Sequence, residues 1–198
     1  CDIKICLGDM VGYYNQPNEV LELLKNEQFI CIKGNHDKYV LGELEYKIEN
    51  QEIYGINRHR EIVSKENFAF MKCAFDFYNI ESNKLKLHFC HTINNDFSIY
   101  LKTESDCKKY VKYMNDYDYF FYGHSHLQSI HKVEDTIAIN PGSIGQQRGK
   151  SKNPTFCVLD TDNGECDFYE VSYNVEGLIK HLQLNSYDEK LINILKTY

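Results

Sequence analysis

The stretch that decides the fold is Phe29-Ile-Cys-Ile-Lys-Gly-Asn-His-Asp37, in which an apolar run ends directly in Gly34-Asn35-His36-Asp37. The apolar run predicts a buried strand, and the polar residues predict a loop at its carboxyl end. The same order recurs in Ile3–Leu7 before Gly8-Asp9, in Leu85–Cys90 before His91, and in Tyr117–Tyr122 before Gly123-His-Ser-His126. Because strand ends meet at one edge of an open α/β sheet, we expect these polar side chains to converge there.

The side chains at these strand ends include five candidate metal ligands: Asp9, Asn35, His91, His124 and His126. Oxygen and imidazole ligands of this kind suit hard or borderline divalent cations such as Mn, Fe, Zn or Ni. The eight cysteines form no CxxC pair, which argues against a structural zinc site. A carboxylate such as that of Asp9 can bridge two cations about 3.5–4 Å apart, a geometry that supports displacement at phosphorus.

The rest of the chain predicts a layered α/β domain. Periodicity predicts helices over Asn18–Lys25 and Ser64–Ala74 and after a capping box at Thr103, and strands over Thr136–Asn140, Thr155–Asp160 and Asp167–Tyr173. Residues 38–57 are polar and show no clear period.

The strand-end blocks resemble the calcineurin-like metallophosphoesterases. The matching segments stand in the family's order and are Gly8–Tyr13, Gly34–Asp37, His91, Gly123–His126 and Asn140–Gln146. The last of them resembles the small bacterial and archaeal phosphoesterase branch, and the likeness extends from Cys1 to about Val171. Gly12 and Asp37 stand where the phosphoprotein phosphatases of the superfamily have Asp and Glu, which also favours the small phosphoesterase branch.

The resemblance implies an α/β fold of four layers, an α/β/β/α sandwich in which two mixed sheets are flanked by helices. Residues 1–198 would form a single metallophosphoesterase domain, with C-terminal helices near residues 175–196. The family opens with a strand that ends in Asp-x-His, and no residue before Cys1 is present to supply it. We therefore expect an N-terminally truncated domain without its first strand and helix, and weak or no activity from this fragment.

The resemblance also implies two divalent metal ions and a role for each matching residue. Asp9 would bridge the two ions, and His126 would bind the first of them. The second metal site would be completed by Asn35, His91 and His124. His36 would protonate the leaving group, while Asp37 would either orient His36 or cap the helix that follows.

Two further segments are candidates near the site. Arg148 is a candidate contact for a substrate phosphate, although a solvated loop arginine fits the same position. Asn140–Gln146 is expected to be a glycine-rich turn that supports the site rather than a source of ligands. Among the remaining histidines, His59 is expected to be a surface or hydrogen-bonded core residue and His88 a structural residue of the sheet.

The expected function is metal-dependent hydrolysis of phosphomonoester or phosphodiester bonds by a hydroxide that two metal ions activate. A non-catalytic metal-binding or scaffold protein on the same fold is an open alternative. A protein phosphatase or a dinucleoside polyphosphate hydrolase is a more distant one. The substrate would be a small phosphoester, and a homo-oligomer is open alongside a monomer.

Composition limits the partners of the chain. With 22 basic and 29 acidic residues the formal net charge is −7, and no block of Lys or Arg stands out. This charge weighs against an extended nucleic-acid interface.

No apolar run reaches about 18 residues, so no membrane span is expected. The scattered cysteines are typical of reduced thiols in a cytoplasmic protein.

Overall fold

The computed structural model describes residues 2–47, 49, 51–149 and 153–196. The strands are β1 (Ile5–Cys6), β2 (Ile30–Cys31), β3 (Phe77–Ser82), β4 (Leu85–Cys90), β5 (Tyr119–Tyr122), β6 (Ser129–Val133), β7 (Thr136–Asn140), β8 (Thr155–Asp160) and β9 (Glu165–Glu170). The helices are α1 (Pro17–Asn26), α2 (Asn35–Leu41), α3 (Gln51–Tyr54), α4 (Ile56–Ile62), α5 (Lys65–Lys72), α6 (Glu104–Lys108), α7 (Val175–Leu184) and α8 (Glu189–Lys196).

A five-stranded mixed sheet in the order β3-β4-β5-β7-β6 forms the centre of the fold. Strands β4, β5 and β7 are parallel, and the edge strands β3 and β6 run antiparallel to their neighbours. The aromatic run Tyr119–Tyr122 of β5 is buried along its whole length, because both faces of this central strand are covered.

Two further strand pairs cover one face of the central sheet. β1 and β2 pair in parallel, and β8 and β9 form an antiparallel hairpin. Ile32 after β2 and Leu159 of the hairpin share one apolar cluster with Phe89 and Phe121 of the sheet. Among the described residues the two pairs are separate, so the second sheet of the expected sandwich consists here of two parts.

Helices form the two outer layers. Apolar side chains of α1, α2, α4 and α5 pack together with Cys6 and Cys31 on the outer side of β1 and β2. On the other face of the central sheet, Cys107 of α6 and Met114 pack against Phe120. The fold is therefore the expected four-layer α/β arrangement, and its central sheet holds the strand ends that carry the histidine blocks.

Local structure differs from the prediction in several places. The segment 38–57 carries most of α2 and all of α3, which at seven and four residues are too short to show an amphipathic period. Strands β3 and β6 lie at the sheet edges, where Phe77 and Ile130 are exposed and blur the alternation of apolar and polar residues. Thr103 caps α6 as predicted, and the helix spans Glu104–Lys108.

The seven described cysteines are free thiols, and Cys1 lies outside the described residues. Cys90 and Cys107 are buried among apolar side chains, where a thiol packs as a small hydrophobic group. No helix in the described part of the chain is long and apolar enough to cross a bilayer.

Candidate metal centre

The five candidate ligands follow β1, β2, β4 and β5 and meet at one edge of the molecule. Three of them lie in the left-handed region of backbone conformation, with φ of 56° at Asp9, 63° at His124 and 58° at His126. Such angles are uncommon outside glycine and persist only where surrounding contacts enforce them. The chain thus turns sharply at the strand ends, and this turn aims the side chains at a common point.

The ligand atoms lie close to one another. His91 Nε2 is 3.2 Å from Asn35 Oδ1 and 3.2 Å from His124 Nδ1. Asp9 Oδ2 is 3.5 Å from His91 Nε2 and 3.9 Å from His126 Nε2. One carboxylate oxygen therefore faces imidazoles on two sides. Ligand atoms of Asp9, His91 and His124 all lie within 4.8 Å of one another.

Backbone carbonyls fix the tautomers of the three histidines. The acceptors are Leu7 O for His91 Nδ1 at 2.7 Å, Phe97 O for His124 Nε2 at 3.0 Å and Gln146 O for His126 Nδ1 at 2.8 Å. A carbonyl oxygen only accepts hydrogen bonds, so each of these outer nitrogens carries the proton. In the neutral form of each ring the inner nitrogen has a lone pair directed at the site, which is the arrangement of metal-binding histidines.

The donor set fits a divalent cation. His91 Nε2 and His124 Nδ1 face each other at 3.2 Å, so two neutral rings direct their lone pairs at the same point, which a cation there would stabilise. One carboxylate, one amide oxygen and three imidazoles suit borderline metals. Although burial raises it, the pKa of Asp9 is held well below its usual range by the facing histidines. Burial lowers the pKa of His124 to about 4, which favours the neutral, ligating form.

Asp37 holds the backbone of the site. Its Oδ2 accepts hydrogen bonds from the N–H groups of Asp9 and Gly34, both at 2.8 Å, and its Oδ1 accepts from Val11 N at 3.3 Å. Of the two roles open at the sequence level, these contacts support capping of α2. Gly34 is required because a Cβ there would collide with the carboxylate of Asp9.

His36 lies beside the ligands and under aromatic side chains. Its backbone N–H donates to Asp9 Oδ1 at 3.0 Å, and its ring stacks on Tyr13 with centroids 4.8 Å apart. The ring of Tyr54 meets it edge-on at 4.7 Å. Burial lowers the pKa of His36 to about 4, and the nearby Asp9 carboxylate opposes this shift. The structure therefore places His36 against the ligand cluster in a mostly neutral form.

Tyr13 is a site residue that sequence patterns did not single out for a specific role. Its φ is 64°, its N–H donates to Tyr54 O at 2.8 Å, and its hydroxyl accepts from Arg148 Nη2 at 3.3 Å. His59 holds the same loop by accepting from Gly12 N at 2.9 Å and bonding Tyr14 O at 2.7 Å. The exposed Arg148 is thus linked through Tyr13 to the site.

Asn140 braces the loop between β5 and β6 through its side chain. Its amide nitrogen donates to Gly123 O at 2.8 Å and to Ser125 Oγ at 3.0 Å, and its side-chain oxygen accepts from Gly142 N at 2.9 Å. These bonds hold the loop that carries His124 and His126. The segment Asn140–Gln146 therefore supports the site, as its glycine-rich sequence predicts.

Comparison with protein families adds the deciding observation. The family model of the calcineurin-like phosphoesterase superfamily domain matches residues 1–164, which is most of the chain. The chain belongs to the calcineurin-like phosphoesterase superfamily. Membership supports a phosphoesterase that depends on divalent metal, and Asp9, His91 and His124 form a cluster able to hold such an ion.

Relatives of this calcineurin-like phosphoesterase span nearly the whole chain. An uncharacterized protein of Methanocaldococcus jannaschii is 27% identical over 205 residues, covering 94% of this chain and 82% of that protein. The crystal structure of a hypothetical protein from Pyrococcus horikoshii matches with a TM-score of 0.78 at 18% identity. The match covers 96% of this chain and 83% of that protein. The crystal structure of a metallophosphoesterase from Sphaerobacter thermophilus matches with a TM-score of 0.77 at 18% identity. The match covers 99% of this chain and 88% of that protein. The two solved structures establish the fold.

Proposed function

We propose that this calcineurin-like phosphoesterase hydrolyses small phosphomonoesters or phosphodiesters with two divalent cations. The observation that carries the proposal is the convergence of ligand atoms at His91, whose Nε2 is 3.2 Å from both Asn35 Oδ1 and His124 Nδ1. Its outer nitrogen is bonded to a carbonyl, so in the neutral ring Nε2 is the nitrogen that offers a lone pair to a cation. When bound, the cations supply a nucleophilic water and neutralise the phosphate oxygens.

The ligands divide between two positions around Asp9. We assign Asp9 as the bridging carboxylate, because its Oδ2 faces His91 on one side and His126 on the other. Asn35 and His124 cluster with His91 and belong to the same position. This donor set suits hard or borderline divalent cations, so the proposed ions are Mn, Fe, Zn or Ni as a class.

His36 is proposed as the group that protonates the leaving oxygen. It lies one residue from Asn35 and its ring packs against the site under Tyr13. The charge of a bound phosphate favours the imidazolium form and so opposes the lowering of its pKa by burial. Arg148, which is linked to Tyr13, is proposed to bind a phosphate oxygen, since guanidinium groups pair well with phosphate.

The proposal is tested on the complete protein with a nitrophenyl phosphate ester and added Mn²⁺. His36→Ala should lower kcat by about 10²–10⁴-fold, the usual contribution of a proton donor, while Mn²⁺ binding measured by calorimetry persists. His181→Ala changes an exposed histidine of α7 and serves as the matched control. Metal-dependent turnover that is unchanged in His36→Ala would remove His36 from this role. Metal binding without turnover in the unmodified protein would favour a non-catalytic function.

A further inference from the structure

The ring of His36 is held by packing rather than by a hydrogen bond at Nδ1. This nitrogen is buried and has no hydrogen-bond partner among the described residues. Tyr13 covers one face of the ring, with centroids 4.8 Å apart and 24° between the planes, and Tyr54 meets the ring edge-on at 4.7 Å. The orientation of the imidazole therefore depends on how firmly its neighbours are held.

Gly12 completes the packing on the Nδ1 edge of the ring. A Cβ on Gly12 would collide with His36 Nδ1, so only glycine leaves room for the imidazole in this position. Gly12 and Tyr13 are neighbours in the chain, and they lie against two sides of the same ring. We call the segment Gly12–Tyr14 the clamp loop.

His59 anchors the clamp loop at both ends. Its Nδ1 accepts a hydrogen bond from Gly12 N at 2.9 Å, and its Nε2 donates to Tyr14 O at 2.7 Å. An imidazole that accepts at one nitrogen and donates at the other is neutral and carries its proton on the donor. Both nitrogens are used in these bonds and the residue is 1% exposed, so His59 has no nitrogen left for a metal ion or a substrate.

The anchor belongs to a helix that is itself fixed in the fold. The backbone N–H of His59 donates to Gly55 O at the start of α4, at 2.9 Å. Ile56 of the same helix turn is fully buried in the apolar cluster of α1, α2 and α5. Just before α4, Tyr54 O accepts from Tyr13 N at 2.8 Å. Hydrogen bonds from this corner therefore restrain all three residues of the clamp loop.

We propose that His59 is a positioning residue that fixes the imidazole of His36 at the metal centre through the clamp loop. This inference rests on the proposed function, because it concerns the group assigned to protonate the leaving oxygen. A proton donor must come within hydrogen-bond distance of that oxygen, and a misplacement of about 1 Å can cost about 10²-fold in rate. His59 does this without touching the substrate or the metal.

Chemical acylation of His36 tests the clamp without any catalytic turnover. Diethyl pyrocarbonate acylates accessible neutral imidazoles, and mass spectrometry of the digested protein gives the rate at each histidine. In the unsubstituted protein His36, which is 3% exposed, should react much more slowly than the exposed His181. In His59→Phe, which keeps a ring but loses both hydrogen bonds, the rate at His36 should rise by about tenfold. Equal rates at His36 in the two proteins would overturn the proposal.

Two further variants complete this test. His88→Phe is the matched control, because it makes the same substitution in β4 of the central sheet and should leave the rate at His36 unchanged. Gly12→Ala keeps His59 in place but pushes a methyl group against the imidazole, so it should also raise the rate at His36. It gives an independent answer if His59→Phe does not fold, and an unchanged rate in Gly12→Ala would contradict the clamp.

A kinetic comparison tests whether His59 acts through His36. With the complete protein, a nitrophenyl phosphate ester and Mn²⁺, His59→Phe should lower kcat by about 10–100-fold, while KM and the Mn²⁺ affinity stay nearly unchanged. In a protein that already carries His36→Ala, adding His59→Phe should lower kcat no further, because the positioned group is gone. A further decrease of the same size would show a general structural effect and overturn the positioning role.

The two measurements separate this inference from the proposed function. If the protein hydrolyses no phosphoester, the proposed function fails, but slow acylation of His36 that His59→Phe accelerates still supports the clamp. If kcat falls in His36→Ala while acylation of His36 does not depend on His59, the proposed function stands and the positioning role of His59 is overturned.

Discussion

Replacing Asn140 by Ala should loosen the loop that carries two of the proposed metal ligands. Asn140 is fully buried and makes hydrogen bonds of 2.8, 3.0 and 2.9 Å to Gly123 O, Ser125 Oγ and Gly142 N. Gly142 is only half-buried, so its N–H can bond to water instead, whereas Gly123 and Ser125 are buried. Gly123 O keeps a hydrogen bond from Ser125 N at 2.7 Å, so Ser125 Oγ is the buried partner that loses its bond to Asn140. One such loss, at about 1–3 kcal/mol, predicts a decrease of that size in the free energy of unfolding.

The same substitution should weaken metal binding. The lost bonds position His124 and His126, and partners of this kind typically contribute about 10–100-fold to metal affinity. Urea unfolding and Zn²⁺ titration by calorimetry measure the two effects. Asn163→Ala is the control, because Asn163 lies in an exposed turn of the hairpin, and it should change stability by less than about 1 kcal/mol. An Asn140→Ala variant with unchanged stability and unchanged Zn²⁺ affinity would refute the supporting role of this residue.

Two further predictions concern Tyr13, which stacks on His36, and His88 in the central sheet. Tyr13→Phe keeps the ring on His36 but removes the hydroxyl that accepts from Arg148, so KM for a nitrophenyl phosphate ester should rise with little change in kcat; an unchanged KM would contradict the link. Burial lowers the pKa of His88 to about 4, while the unfolded chain binds this proton near pH 6.5. Stability should therefore fall as the pH drops from 7 to 5, by about 1–2 kcal/mol more in the unmodified protein than in His88→Phe, and equal losses in urea unfolding would contradict this.

Much of the site could be predicted from the sequence because it depends on local order. A polar residue directly after a buried strand must lie at the strand's carboxyl end, and parallel neighbours such as β4 and β5 bring those ends together. The positions of Asp9, Asn35 and His91 follow from this rule. The ring orientations at His124 and His126 do not, because both residues adopt a left-handed conformation and present different nitrogens, Nδ1 and Nε2, to the site.

Other parts of the site depend on contacts between distant segments. The carbonyls of Leu7, Phe97 and Gln146 fix the three histidine tautomers. Because every residue has a backbone carbonyl, the sequence does not show which of them will bond to a histidine. The edge strand β3 could not be recognised because its turn, Asn83-Lys84, has φ of 50° and 68° without the glycine that usually signals it.

The most direct test of the account is anomalous diffraction at the zinc edge from crystals of the protein soaked with Zn²⁺. The account predicts a peak about 2.0–2.2 Å from Asp9 Oδ2, His91 Nε2 and His124 Nδ1. A second peak should lie between Asp9 and His126. Zinc density that appears only elsewhere on the molecule, with Asp9 and His91 bound to water or to each other, would contradict the central claim that these strand ends form a metal centre.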